Sequence, residues 1–146
     1  MSKKNYIQQL KNARNLKVKR RFKDSIKEFE SVLSVYKEID VEDECRIYGF
    51  LAYLYLQELI LDKAEIYARK NLELEKKSRD STSNKIADAH FLLARVLAKK
   101  EKFHDAYECM QVALPIYDSF VSKNTSFYGN ILIFLHFLEE KIGGGK

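Results

Sequence analysis

A short pattern of small and large side chains recurs three times along the chain, and it constrains the fold more than any other feature. Each copy has an aromatic residue or Leu, a small residue three positions later, and further apolar residues at helical spacing. The small residues lie 39 and 42 residues apart, at Ser25, Ala64 and Ala106. A period of this length is typical of repeat proteins, in which each repeat is one supersecondary unit that stacks on its neighbours.

A second small residue precedes each of these positions by twelve residues. These residues are Ala13, Ala52 and Ala94. The large side chains that follow them three positions later are Leu16, Tyr55 and Leu97. Residues three apart lie on the same side of a helix, and an alanine there lets a second helix approach closely. Each copy therefore predicts two antiparallel helices, joined by a short turn, whose small residues face each other.

Helical periodicity continues outside these copies and predicts an all-α fold. One proline and five glycines are too few for a chain with many tight turns. Asp40, and Ser83 or Asn84, are the expected N-caps of two helices. Pro115 is expected to kink its helix or to end it early. Seven helices are predicted, at about residues 5–20, 23–37, 42–58, 61–78, 84–100, 103–121 and 126–141.

The copies resemble the tetratricopeptide repeat (TPR), a helix pair with Leu, a small residue and an aromatic in its first helix. Leu51-Ala52 with Tyr55 matches that part in full, and Leu93-Ala94 matches it in part. In the second helix the matching residues are Phe29, Ala64, Ala106 and Ala113. The chain departs from the family pattern at the turn, where the usual glycine is replaced by Arg20, Leu59 and Glu101.

The long interval between copies resembles the TPRs of kinesin light chains and related adaptor proteins, since it exceeds the usual repeat of about 34 residues. The resemblance implies a right-handed α-solenoid of three helix pairs plus a C-terminal helix. It implies one TPR-like domain over residues 1–141, with a flexible tail at 142–146. The repeats would span about residues 5–37, 42–78 and 84–121, and the extra helix residues 126–141.

The TPR resemblance also implies a function, which is protein–protein interaction by a non-catalytic adaptor or scaffold. In this family the first helices of the repeats line a concave groove. Arginines there can bind carboxylates with two hydrogen bonds, and aromatic residues offer apolar area, so we expect an acidic, partly apolar peptide as ligand. The implied groove residues are Ile7, Lys11, Arg14, Lys17, Val18, Arg46, Phe50, Tyr53, Gln57, Asp88, Leu92, Arg95 and Lys99.

The C-terminal helix suggests an alternative function, because it is apolar on nearly all sides, whereas the last helix of a solenoid usually has a polar outer face. The chain would then be a structural subunit that homodimerises or assembles through this helix. The expected contact residues are Ile131, Phe134, Leu135 and Leu138. A less favoured alternative is association with nucleic acid, because residues 1–27 carry ten Lys or Arg against one Asp, in a chain of net charge +5.

Signals for catalysis are weak in the sequence, so we expect no enzyme activity, cofactor or metal. His90, His104 and His136 do not form a spaced pair, and Cys45 and Cys109 lack metal-ligand spacing. We expect His90 to be a structural residue with its hydrogen bonds satisfied, and both cysteines to be reduced. No run of eighteen apolar residues and no apolar signal-peptide core occurs in the sequence, so a cytoplasmic location without membrane contact is expected.

Overall fold

The computed structural model describes residues 5–143, and within them it contains helices and no strands. The all-α prediction is therefore confirmed, and every helix begins and ends within two residues of its expected position. The helices are α1 (Ile7–Val18), α2 (Phe22–Val35), α3 (Val41–Gln57), α4 (Leu61–Ser78), α5 (Asn84–Lys99), α6 (Phe103–Phe120) and α7 (Ser126–Gly143).

Two of the helix-end expectations have different outcomes. Ser83 is the N-cap of α5, and its hydroxyl accepts a hydrogen bond from the backbone amide of Lys85 at 3.1 Å. Asp40 occupies the N-cap position of α3, but its side chain makes no capping hydrogen bond there. Of the two expectations for Pro115, a kink or an early end of its helix, the early end is wrong, because α6 continues to Phe120. Pro115 is exposed, so water can reach the backbone where the proline lacks its N–H.

Three turns between helices share one backbone conformation. Arg20, Leu59 and Glu101 have φ values of 62°, 59° and 62°, in the left-handed region that residues other than glycine rarely adopt. They are the three positions where the TPR pattern has its turn glycine. Their spacing of 39 and 42 residues equals that of the small residues.

The hydrogen bonds of these turns are also the same. After α1, the amide of Arg20 donates to the carbonyl of Lys17 at 3.0 Å, and the amide of Arg21 donates to that of Leu16 at 2.9 Å. This pair of bonds is a Schellman motif, which satisfies the last carbonyls of a helix. Equivalent pairs follow α3 and α5, with donors at residues 59, 60, 101 and 102. The internal repeat is therefore present in the backbone geometry of the turns.

The small residues of the repeat pattern lie in the protein interior. All six are fully buried, namely Ala13, Ser25, Ala52, Ala64, Ala94 and Ala106. In the first copy the contact is direct, because the Ser25 hydroxyl donates a hydrogen bond to the carbonyl oxygen of Ala13 at 2.7 Å. The expectation that these side chains mark close helix contacts agrees with this burial.

Contacts divide the chain into two compact units, Met1–Leu74 and Glu75–Lys146. In the first unit, α2 packs against both α1 and α3, with Phe29, Ile47 and Leu51 fully buried. In the second unit, α6 packs against both α5 and α7, with Met110 and Ile131 fully buried. No helix within residues 5–143 is long and apolar enough to cross a bilayer.

Candidate functional site

A cavity of about 140 Å³ lies between α1 and α3 in the first unit, and Phe29 of α2 contributes to its wall. Residues on each helix reach it because they are three, four or seven positions apart and so share one helix face. We call it the α1–α3 cavity. Its lining residues are Ile7, Leu10, Arg14, Phe29, Asp43, Arg46, Ile47 and Phe50.

The chemistry of the α1–α3 cavity is mixed. Leu10, Phe29 and Ile47 are buried and form an apolar wall. Arg14 and Arg46, from different helices, are both exposed and bring two guanidinium groups to the same cavity. Such an arrangement suits a ligand that has both an apolar group and a carboxylate.

One carboxylate of the protein already lies at this cavity. Asp43 faces Arg46 at 3.8 Å, between Oδ1 and a guanidinium nitrogen. The other oxygen of Asp43 accepts a hydrogen bond from the Tyr6 hydroxyl at 2.7 Å, and that hydroxyl accepts one from the backbone amide of Asp40 at 3.1 Å. Burial is the main cause that raises the pKa of Tyr6. Asp43 is thus held by two partners, whereas Arg14 has no carboxylate partner within residues 5–143.

A third cation lies beside the cavity. The Lys17 ammonium is 5.5 Å from the ring centroid of Phe50 and 5.0 Å from that of Tyr53, within the range of cation–π attraction. Phe50 in turn stacks on Phe29, with 5.2 Å between ring centroids. The predicted aromatic groove residues Phe50 and Tyr53 therefore hold Lys17 next to the site.

The other groove residues predicted for the first two repeats do not line the cavity. Lys11, Val18 and Gln57 are exposed on the surface of their helices. Of the predicted groove residues, four line the cavity, namely Ile7, Arg14, Arg46 and Phe50. Lys17 and Tyr53 lie next to it. Lys11, Val18 and Gln57 lie outside it.

In the second unit the predicted groove residues on α5 have different surroundings. The Arg95 guanidinium lies 5.7 Å from the ring centroid of Phe91, and Leu92 is half-buried while Lys99 is exposed. Asp88 accepts a hydrogen bond from the Tyr117 hydroxyl at 2.6 Å. Burial raises the pKa of Asp88, although this hydrogen bond opposes the shift, and burial is also the main cause that raises the pKa of Tyr117.

Sequence reasoning missed an aromatic cluster around Phe91. Its ring meets the rings of Tyr117, Phe127 and Phe134 edge to face, with centroids 5.7 to 6.4 Å apart. A signal was present, because Phe127 and Phe134 lie seven residues apart, which places them on one side of α7.

Besides the α1–α3 cavity, the first unit contains a larger surface depression that was also not predicted. It has a volume of about 490 Å³, and we call it the tyrosine hollow. Glu30 accepts hydrogen bonds from Tyr55 at 2.6 Å and from Tyr67 at 3.1 Å, and burial is the main cause that raises the pKa of Tyr67 to about 12. The lining residues are Glu30, Leu33, Ser34, Tyr36, Lys37, Ile39, Glu44, Tyr48, Tyr67 and Lys70.

The predicted contact residues of the C-terminal helix lie mostly inside the protein. Ile131 and Leu138 are fully buried, and Phe134 and Leu135 are half-buried. Other apolar side chains of α7 are the exposed ones, namely Phe127, Leu132, Ile133 and Phe137.

The titratable residues considered for catalysis do not converge. His90 is buried, but its Nδ1 has no hydrogen-bond partner within the described residues, so the expectation of a satisfied histidine is wrong for that atom. Burial, with a smaller effect of Lys76, lowers its pKa. Cys45 and Cys109 form no disulfide within the described residues. Within residues 5–143 no group of three or more His, Cys, Asp or Glu is arranged to hold a metal ion.

Comparison with known proteins adds no family to these observations. No protein-family model matches the chain. A search of curated proteins finds no match either. The function is therefore inferred from the geometry of the sites.

Proposed function

We propose that the protein is a non-catalytic interaction module of the TPR type, an adaptor or scaffold that binds an acidic, partly apolar segment of a partner protein. Its fold would be a right-handed α-solenoid of three helix pairs with an additional C-terminal helix. The three equivalent turns at Arg20, Leu59 and Glu101 support the repeat, because turns of one geometry at the spacing of the small residues are expected of stacked helix pairs.

The observation that carries the function is the α1–α3 cavity. Two arginines from separate helices flank an apolar wall, and Arg14 has no carboxylate of the protein to pair with in the described part of the chain. Lys17 adds a third positive charge beside Phe50. A ligand carboxylate can pair with Arg14 while an apolar side chain of the ligand enters the cavity.

Asp43 determines the orientation in which the ligand binds in the α1–α3 cavity. Its negative charge lies at the Arg46 part of the cavity, where it is held by the Tyr6 hydroxyl. A ligand carboxylate is repelled there and is attracted toward Arg14 and Lys17. The acidic group of the partner should therefore bind at the Arg14 part of the cavity, with the apolar group nearer to Ile47.

The test is charge reversal in the full chain. Arg14→Glu with Arg46→Glu should abolish the binding of partners that the native chain captures, because an acidic segment then meets two further carboxylates. Capture by the immobilised chain, followed by mass spectrometry and affinity measurement at low and high salt, reads this out. The native interaction should also weaken with salt, since exposed charges are screened.

A matched control uses two lysines on a different surface of the same unit. Lys23→Glu with Lys27→Glu on α2 makes the same change in net charge at exposed positions that do not line the cavity. It should leave binding unchanged. If both double variants lose the partner equally, the attraction is a property of net charge and the site assignment is wrong. If neither loses it, the proposed function is wrong.

A further inference from the structure

The outer side of α7 carries apolar side chains that the rest of the described chain leaves partly exposed, although the ring of Phe137 also contacts that of Phe103, with 5.9 Å between centroids. Ile133 is 69% exposed, and Leu132 and Phe137 are 44% and 42% exposed. On the opposite side of the helix, Ile131 and Leu138 are fully buried. A single exposed isoleucine is ordinary, but several exposed apolar side chains close together on one helix are typical of an association surface.

Gly129 lies on the same side of the helix as Ile133. A Cβ at this position would meet no atom of the described residues within 4 Å. Gly49 of α3 differs, because a Cβ there would meet the Asn71 amide nitrogen at 3.4 Å. Glycine weakens a helix relative to alanine, and at Gly129 it leaves open space in which a side chain of another molecule can approach the helix backbone.

The residues of this surface are arranged symmetrically along the helix. Steps of three, four, four and three residues separate them, so they form one stripe, which we call the outer stripe of α7. Ile133 is at its centre, with Gly129 and Phe137 four residues to either side and Ser126 and Glu140 seven residues to either side. The members of the outer stripe are Ser126, Gly129, Ile133, Phe137 and Glu140.

We infer that the outer stripe is a self-association surface, in which α7 pairs antiparallel with α7 of a second copy about a two-fold axis at Ile133. In that register Ile133 meets its own counterpart, and Phe137 of each copy lies opposite Gly129 of the other, so that a bulky side chain faces a residue with none. A two-fold interface needs a surface complementary to itself, and the outer stripe has that property.

The charges favour the antiparallel orientation. Glu140 would lie near Ser126, at the N-terminus of the partner's α7, where the helix dipole stabilises a carboxylate. In a parallel pair the two copies of Glu140 would lie side by side and repel each other. Within α7 itself, Glu140 lies 3.4 Å from His136, at the exposed end of the stripe. This inference does not depend on the proposed function, because it uses none of the groove residues.

The first test is the concentration dependence of the mass of the full chain, measured by sedimentation or by light scattering after gel filtration. The outer stripe has only two large apolar side chains in each copy, Ile133 and Phe137, so we expect a weak dimer with a dissociation constant on the order of 1–100 μM. Ile133→Glu should leave a monomer, because it places two carboxylates at the axis. Ile133 is exposed, so the helical signal in circular dichroism should remain unchanged.

A matched control and a second variant make the result specific. Ile66→Glu removes an isoleucine that is 54% exposed on α4, and it should leave the dimer intact. Gly129→Ala should weaken the dimer at least about tenfold by crowding Phe137 of the partner, while it raises the melting temperature of the monomer. A native chain that stays wholly monomeric at several hundred micromolar, above the whole expected range of about 1–100 μM, overturns the inference.

Cysteine trapping determines the orientation. In a chain with Cys45→Ala and Cys109→Ala, Gly129→Cys and Phe137→Cys are made separately, and the two proteins are mixed under mild oxidation. An antiparallel pair with its axis at Ile133 forms the mixed disulfide between the two variants. Disulfides formed only within each variant alone would indicate a parallel pair and would refute the register.

Discussion

The arginines on the first helix of a repeat have different surroundings in the two units. In the first unit, Arg14 lies at the α1–α3 cavity without a carboxylate partner among the described residues. In the second unit, Arg95 lies over the ring of Phe91, which itself belongs to an aromatic cluster. Equivalent positions of one repeat pattern therefore have different chemical surroundings.

The comparison shows which part of a repeat is constant and which part varies. Ala13 in the first unit and Ala94 in the second are both fully buried. The turns that follow them, at Arg20 and Glu101, have the same φ. Packing and turn geometry are therefore shared. Arg14 and Arg95 lie outside this buried contact, so their surroundings can differ between the two units.

The largest effect is expected from overpacking the shared contact. Ala52→Leu in the first unit and Ala94→Leu in the second should each cost about 1–3 kcal/mol of unfolding free energy, because both positions are fully buried. Urea denaturation followed by circular dichroism measures this cost. Gln111→Leu at an exposed position of α6 is the control and should change the free energy little. A cost at one alanine but not at the other would mean that the two units do not share the contact.

Side-chain packing could be predicted from the sequence, whereas the backbone conformation of the turns could not. The seven helices and the buried small residues were predicted because side-chain periodicity and residue size determine them directly. The left-handed turns were not predicted, because Arg20, Leu59 and Glu101 have no intrinsic preference for that conformation and adopt it only through the packing of the flanking helices.

The candidate site was predicted in part for a related reason. Arg14, Arg46 and Phe50 were expected on one surface and do line one cavity. The role of Asp43 could not be foreseen, since it depends on the Tyr6 hydroxyl, which is 37 residues away in sequence and 2.7 Å away in space. Contacts of this kind are set by tertiary packing and leave no local pattern.

A smaller effect, in the stabilising direction, is expected from relieving the turns. Arg20→Gly in the first unit and Glu101→Gly in the second should each raise the unfolding free energy by up to about 1 kcal/mol, because glycine adopts a positive φ without the steric cost that other residues pay. Thermal unfolding of each variant and of the double variant measures this gain. Lys100→Gly, at a C-cap with a negative φ of −83°, is the control and should be neutral or destabilising. A loss of stability in either turn variant would contradict the shared turn geometry.

The smallest effect is expected from pH, and it should distinguish the two units, because all three histidines lie in the second. Burial lowers the pKa of His90 below 6.5, so the unfolded state takes up a proton at a higher pH than the folded state does. Stability should therefore be complete above pH 6.5 and should fall as the pH decreases below that value. Melting temperatures between pH 7.5 and pH 5 (about the range in which histidine titrates) test this dependence.

His90→Phe should flatten the pH dependence, because the side chain can then take up no proton. It also removes the buried Nδ1 that has no hydrogen-bond partner among the described residues. Exposed His104 is the control, and His104→Phe should leave the slope unchanged. A slope that persists in His90→Phe would assign the acid sensitivity to another group.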